Sequence, residues 1–284
     1  MTGVYAEVIG DPIAQSKSPA IHRFWLQTLG LPGDYRATRV QTTDLAAYVA
    51  ARRADPEWRG CNVTMPHKQA VIALLDRLDP LAARVGAVNT IVPENGELVG
   101  YNTDVPGFLE PLRPLLDRPN LFRMARVLGT GGAARAVVTA LAATGTVLVL
   151  AGRDAAKARA LLDELDPGGE HHAVDLAHFA APTDFAFDDR MGILDLVVNA
   201  TSLGMTGHDP LAFDLSHAPP GAVFYDIVTS PLETPLLHAA RASGFPTIDG
   251  LAMLIGQADH AFRRFFGVQP PRRENDIELR ARLG

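Results

Sequence analysis

One cysteine, Cys61, is all that the 284 residues contain. That excludes an internal disulfide and a zinc site built from cysteines. No apolar run is long enough to cross a bilayer. Glu7 and Asp11 stand where a signal peptide would have a basic start and an apolar stretch, so no such signal is expected. Positive charge is not in excess either. Lys and Arg number 26 against 32 Asp and Glu, for a net charge of −6. Without a basic stripe, nucleic acid is not an expected partner. The histidines show no metal-ligand spacing, so no metal is expected. His171 and His172 are expected at the surface. Internal repeats and low-complexity segments are missing. What is present is a chain 47% hydrophobic, long enough for one large or two ordinary domains. A soluble cytoplasmic protein is the expectation, with no membrane involved.

Residues 4–9 and 35–40 read as strands. Between them Ser18 suits a helix N-cap, Pro19 a first helical residue and Gly30 a stop. A helix from Thr43 or Asp44 runs to about Arg53. Residues 60–64 read as a strand, 66–78 as a helix and 81–85 as a shorter one. Strands over 88–92 and 97–100 are joined by Asn95 and Gly96, a strong hairpin signal. This pattern predicts a mixed, mostly parallel α/β sheet. A helix from Asp104 to about Asp117 is shortened or bent by Pro111 and Pro114, and a domain boundary falls between residues 103 and 120. From Ala125 onward, strands at 126–128, 146–150, 194–198, 223–226 and 246–248 alternate with helices at 133–143, 154–165 and 233–243. That alternation predicts a doubly wound parallel sheet. Residues 177–192 read ambiguously, and helices over 250–266 and 274–282 end the chain.

Several residues could carry chemistry. Asn62, Thr64 and Lys68 lie where a strand passes into a helix, with Pro66 suited to the first helical position. A cation in a first helical turn opposes the helix dipole by about 0.3–1 kcal/mol. Lys68 is therefore poorly placed unless it has a use. Asp104, preceded by Asn102 and Thr103, either caps its own helix or pairs with Lys68 and orients it for proton transfer. Spacing leaves both open. His67 reads as a bystander, because adjacent helical side chains do not face each other.

Gly129, Thr130, Gly131, Gly132, Ala133 and Ala134 fit G-x-G-x-x-G/A between an apolar strand and an alanine-rich helix. In that setting a pyrophosphate meets a helix N-terminus. The next strand ends in Ala151, Gly152, Arg153 and Asp154. Arg153, with Lys157 one turn on, suits the 2′-phosphate of NADP. Asp154 is either an N-cap or a ribose-reading acid that would favour NAD. NADP is the expected cofactor. Asn199, Ala200, Thr201 and Ser202 form a polar loop ending another apolar strand, at the sheet edge where α/β folds bind ligands.

Together these motifs resemble the shikimate dehydrogenase family over nearly the whole chain. The resemblance rests on Ser16, Lys17, Ser18 and Pro19; on Asn62, Val63 and Thr64 with Pro66 and Lys68; and on Ala87, Val88, Asn89 and Thr90. It continues through Asn102, Thr103 and Asp104, the glycine turn, the Asn199 loop, and Asp249, Gly250 and Leu251 on to Gln257. It implies an α/β substrate domain over residues 1–104, completed by 251–284, and an NADP-binding Rossmann domain over 105–250. It further implies reversible reduction of 3-dehydroshikimate to shikimate, a small-molecule substrate, and a monomer or homodimer. In the family's terms, Lys68 and Asp104 would be the catalytic pair. Ser16 and Ser18 would bind the substrate carboxylate. Asn62, Thr64, Asn89 and Gln257 would hold the ring hydroxyls or the proton-transfer pair. Gly129, Thr130, Gly131, Gly132 and Ala133 would cradle the pyrophosphate, with Gly152, Arg153 and Lys157 at the ribose phosphate. Thr201, Ile227, Gly250 and Met253 would complete the cofactor site.

This chain departs from the family's usual pattern at four places. His67 replaces an aromatic residue, Gly152–Arg153–Asp154 replaces Asn-Arg-Thr, and Thr130 replaces alanine. Thr229 replaces a tyrosine that reaches the substrate, which implies a larger pocket there. A quinate/shikimate dehydrogenase using NAD is therefore the close rival, and a non-catalytic nucleotide or metabolite sensor the distant one.

Overall fold

Apolar alternation and glycine turns build two separate six-stranded sheets. The computed structural model describes residues 3–187, 190–272 and 274–284. One unit comprises the chain up to Gly107 together with Ile255–Gly284, and the other is Phe108–Leu254.

In the first unit the elements run β1 (Tyr5–Gly10), α1 (Ser18–Thr28), β2 (Asp34–Arg39), α2 (Leu45–Arg53), β3 (Trp58–Val63), β4 (Arg77–Leu78), α3 (Pro80–Val85), β5 (Thr90–Glu94) and β6 (Glu97–Tyr101). The sheet order is β2-β1-β3-β5-β6-β4. β1 pairs in parallel with β2 and β3, whereas β5 is antiparallel to β3 and β6. Every residue of β1 is buried, as expected of a parallel strand covered on both faces. Its period-two alternation divides the core: Tyr5 and Ile9 pack with Trp58, Val63 and Ile91, and Ala6 and Val8 with Tyr35, Val99 and Phe265. Glu7 falls on the first of these faces. It is fully buried and paired with Arg52 at 2.6 Å.

The expected helix over 66–78 does not form. After β3 the chain turns, makes a short 3₁₀ helix, Ala70–Leu74, and then adds β4. The backbone N–H of Asp76 donates to Leu98 and that of Asp79 to Gly100. Pairing with β6 has outcompeted the expected α-helix, and Val71 is buried within the short 3₁₀ turn instead. The other expectations in this unit hold to within a residue or two. α1 begins at Ser18 itself, with Lys17 at the N-cap position, and Gly30 adopts the left-handed φ of +62° just beyond its end. Asn95 (φ +51°) and Gly96 (φ +86°) make the hairpin turn.

α4 (Asp104–Leu109) follows, and the expected helix to Asp117 is broken. A 3₁₀ turn, Glu110–Leu112, separates α4 from α5 (Arg113–Leu116), with Pro111 and Pro114 at the breaks. The second unit then alternates β7 (Phe122–Leu128), α6 (Gly132–Ala142), β8 (Val147–Gly152), α7 (Ala155–Leu165), β9 (His172–Asp175), α8 (Leu176–Ala180), β10 (Ile193–Asn199), β11 (Val223–Asp226), α9 (Pro235–Ala242) and β12 (Thr247–Ile248). All its strand pairs are parallel, in the order β12-β11-β10-β7-β8-β9. Leu128, Phe179, Val197, Phe224 and Leu237 centre one of its cores. β9 and α8 were not legible in the pattern. His171, expected at the surface, is buried. Its Nδ1 accepts from the Leu148 N–H and its Nε2 lies 2.9 Å from Asp166, so it joins β8 to the end of α7. α10 (Gly250–Phe266) and α11 (Glu274–Leu283) complete the chain. Among the described residues, no helix is long and apolar enough to cross a membrane.

Candidate active site

In the first unit, the ends of β3, β5 and β6 lie side by side. Asn62 is in register with Thr90. The Val63 N–H donates to the Asn89 carbonyl at 2.8 Å, and the Asn89 N–H to the Tyr101 carbonyl at 3.0 Å. Three polar segments distant in sequence thus share one edge.

Lys68 leaves the turn after β3, and its Nζ donates to Asp104 Oδ2 at 2.6 Å. The other carboxylate oxygen accepts from Asn89 Nδ2 at 2.8 Å. Asn89 is itself held: its Oδ1 accepts from the Thr103 N–H at 2.7 Å and from Thr90 Oγ1 at 3.1 Å. The two readings of Asp104 are decided by Asn102. The Asn102 Oδ1 accepts from the N–H groups of Asp104 and Val105, at 3.1 and 3.3 Å. Asn102 therefore caps α4, and the Asp104 carboxylate is left to Lys68. The helix-dipole argument for Lys68 falls away, because Lys68 precedes the 3₁₀ helix in a turn. Its side chain is 16% exposed and that of Asp104 7%, so solvent screens this pair less than a surface pair.

Asn62 is committed as well. Its Nδ2 donates to the Asn89 carbonyl at 3.2 Å and to Thr90 Oγ1 at 3.0 Å. Its Oδ1 accepts from Tyr35 Oη at 2.5 Å. Both amide hydrogens are spent, so Asn62 shapes the site by holding Asn89. Gln257 joins through Thr103, whose Oγ1 lies 3.5 Å from Gln257 Oε1. Thr64 is half-buried beside Asn62. Ser18 is buried and Ser16 half-buried at the start of α1, and Ser16 Oγ accepts from the Ser18 N–H at 3.3 Å. His67 is buried and turned away, with Nε2 2.7 Å from the Val40 carbonyl.

Sequence reasoning missed Tyr35. It is fully buried on β2, stacked on His22 with ring centroids 4.0 Å apart. Burial raises its hydroxyl well above the ordinary tyrosine range, so it remains a donor. Burial also lowers His22 to about 3, leaving a neutral ring beneath it. Only the pairing of β1 with both β2 and β3 reveals the contact with Asn62. Tyr35→Phe keeps the stack but strands a buried acceptor. It is expected to cost about 1–3 kcal/mol of stability and to slow turnover by loosening Asn62. Denaturant unfolding and steady-state rates check both.

In the second unit, Leu128 is in register with Ala151 and Asn199, and Asn199 with Asp226. Four strands thus end level. The chain leaves β7 toward β8 and β9 and later returns to β7's other side as β10. The switch point, where such sheets bind ligands, therefore lies between β7 and β10. There Gly129 has φ +120°, and a Cβ on it would lie 2.7 Å from the Ala200 carbonyl oxygen. Gly131 has nothing within 4 Å of its missing Cβ, and no side chain caps α6. The turn therefore presents bare backbone at a helix N-terminus, which suits a pyrophosphate. Thr130 packs 3.0 Å from the Cβ position of Gly152. Asp154 caps α7, accepting from the N–H groups of Ala156 and Lys157 at 2.9 and 3.3 Å. Arg153 and Lys157 are exposed beside it. With the acid engaged and two cations presented, the residues fit NADP.

Thr201 is held by Asn199, whose Oδ1 accepts from its N–H at 3.0 Å and from its hydroxyl at 2.7 Å. Ile227 and Thr229, in the loop after β11, are half-buried, and Met253 is buried in α10. A Cβ on Gly250 would fall 2.3 Å from the Val228 carbonyl oxygen and 2.5 Å from that of Ile227, so only glycine permits this approach. Among the described residues, no group of three or more His, Cys, Asp or Glu is placed to hold a metal.

One unit holds a doubly wound parallel sheet with a glycine turn at its switch point, and the other holds a hydrogen-bonded lysine–carboxylate pair; the two features together define a dinucleotide-dependent oxidoreductase. A family model described as the shikimate dehydrogenase substrate-binding domain matches residues 8–91. The shikimate dehydrogenase (NADP+) of Sphingopyxis alaskensis is 51% identical over 283 residues, 98% of this chain and 96% of that one. The shikimate 5-dehydrogenase of Thermus thermophilus, solved with NADP(H) and shikimate, is 36% identical with a TM-score of 0.82, covering 99% of this chain and 100% of that one. The quinate dehydrogenase of Corynebacterium glutamicum, solved with NAD, is 34% identical with a TM-score of 0.81, covering 98% of each chain. The chain belongs to the shikimate dehydrogenase family.

Proposed function

We propose that this chain catalyses the reversible, NADP-dependent interconversion of shikimate and 3-dehydroshikimate, with Lys68 and Asp104 as its proton-handling pair. The observation that carries the reading is the 2.6 Å contact between Lys68 and Asp104, whose second oxygen is held by Asn89. A carboxylate fixed at both oxygens orients one ammonium, and that ammonium exchanges a proton with the substrate oxygen. Asn62, Thr103 and Gln257 keep the pair in place. Ser16 and Ser18 offer hydroxyls for the substrate carboxylate. Gly129, Thr130, Gly131, Gly132 and Ala133 would hold the pyrophosphate of NADP, and Arg153 and Lys157 its 2′-phosphate. When bound, the nicotinamide supplies or accepts the hydride.

Shikimate is a small polyhydroxy acid, and a site of short hydrogen-bonding side chains suits it. Asp154 favours NADP over NAD in this reading, because its carboxylate is already taken up as a helix cap. The test is an absorbance assay at the NADPH band with shikimate and quinate, each with NADP+ and NAD+. Shikimate with NADP+ is expected to give the highest kcat/KM. Combining Arg153→Ala with Lys157→Ala is expected to lower kcat/KM for NADP+ by about 10–100-fold, the worth of charge-assisted bonds to one phosphate, while NAD+ turnover barely changes. Better turnover of quinate with NAD+ would overturn the assignment and attribute the difference to Thr229.

A further inference from the structure

Asp226, at the end of β11, is fully buried, and no cation pairs with it among the described residues. Its carboxylate is nevertheless saturated. Asn199 Nδ2 donates to both oxygens, at 3.0 and 3.1 Å. The Val228 N–H donates to Oδ1 at 3.0 Å, and Thr234 Oγ1 to Oδ2 at 2.7 Å. These donors come from three places: the end of β10, the loop after β11, and the cap of α9. Only an acceptor-only group can receive all of them.

We propose that Asp226 is a positioning residue for the cofactor, a role resting on the NADP-dependent reading above. It acts through Asn199 and Val228. Asn199 spends its amide nitrogen on Asp226 and on the Leu203 carbonyl, at 3.0 Å. That turns its oxygen toward the N–H and hydroxyl of Thr201. The same residues set the backbone at Ala200, which lies against Gly129 of the phosphate turn. On the other side, the bond from Val228 and a bond from the Ile227 N–H to the Asn199 carbonyl, at 3.1 Å, fix the two carbonyls that close on Gly250. One carboxylate thus orders the loops that follow both β10 and β11. Burial raises the Asp226 carboxyl above its ordinary range, and its bonds from Val228, Asn199 and Thr234 draw it back. A carboxyl buried against that cost and bonded from three elements agrees with a positioning role.

Asp226→Asn tests the proposal. Whichever way the new amide turns, it sets an N–H donor against Asn199 Nδ2, because that nitrogen contacts both oxygens. Asn199 is pushed aside and Thr201 released. The expected result is a KM for NADP+ raised about tenfold or more, with shikimate binding, measured calorimetrically without cofactor, unchanged. An unaltered KM for NADP+, or an equal loss toward both ligands, overturns the proposal. If Asp226→Asn does not fold, Thr234→Val and Thr234→Ser decide. Valine removes one donor and should raise the KM for NADP+, while serine keeps it and should restore the wild-type value. Equal behaviour of the two also overturns the proposal. If the wild-type chain binds no NADP+, the functional reading itself has failed, an outcome distinct from all of these.

Discussion

Lys68→Ala is expected to lower kcat by about 10²–10⁴, the usual worth of a positioned acid or base, while substrate KM changes much less. The Lys68 ammonium is the cation paired with Asp104, and Asn89 holds that carboxylate in place without it. The serines proposed to bind the substrate carboxylate, in α1 and just before it, belong to another element. Removing the ammonium therefore strikes proton transfer first. A stability loss is expected too, because a nearly buried carboxylate is left without its cation. For buried pairs that loss is about 3–5 kcal/mol; the 16% exposure of the lysine moderates it. Lys68→Arg separates the two effects. Arginine restores a cation for Asp104 but does not give up its proton in proteins. It should recover much of the melting temperature and little of kcat. Steady-state kinetics with thermal melts of both variants make the measurement. An alanine variant with unchanged kcat would remove Lys68 from the chemistry.

Gly129→Ala is expected to be the most damaging change in the second unit. Two costs coincide at this position. The backbone stands at φ +120°, a region that L-residues other than glycine avoid. The added methyl would also lie 2.7 and 2.8 Å from the carbonyl oxygen and carbon of Ala200, which belong to backbone and cannot rotate aside. Ala200 cannot retreat cheaply, since its N–H is bonded to the Leu128 carbonyl at 2.7 Å. A loss of stability above about 3 kcal/mol is expected, at the severe end for a single substitution, together with loss of NADP+ binding. Gly131→Ala is the contrast. Nothing lies within 4 Å of its Cβ position, so the fold should survive and only the approach of the pyrophosphate should suffer. Chemical denaturation and NADP+ titration of the two variants distinguish structural from binding roles. Equal stability of the two would contradict the steric account.

Much of this protein is written locally. The glycine turn, the cap at Asp154, the hairpin at Asn95 and Gly96, and the alternation of strands and helices each depend on a few adjacent residues. The intrinsic preferences of glycine, proline and short polar side chains act at that range. The motifs that mark the family are likewise contiguous, so the chain's own order of residues was enough to suggest Lys68, Asp104, the serines and the phosphate turn as one set. Where reading failed, a distant partner had taken over. The segment after Pro66 has helical spacing, but β6 captured its N–H groups. His171 has a surface sequence context, but β8 and Asp166 enclosed it.

Pairing across the sheets is what only the tertiary structure decided. From spacing alone, Asp104 could have capped its own helix. Asn102 took that task, and a contact 36 residues back in the chain, to Lys68, became the use of the carboxylate. Tyr35 offered no motif, yet strand order places its hydroxyl on Asn62. Asp226 looked like an ordinary strand end until register set it beside Asn199. The physical reason is the same in each case. A polar side chain can satisfy its hydrogen bonds in several ways, and burial makes the choice among them binding. That choice depends on which strands become neighbours, and the chain settles it only on folding.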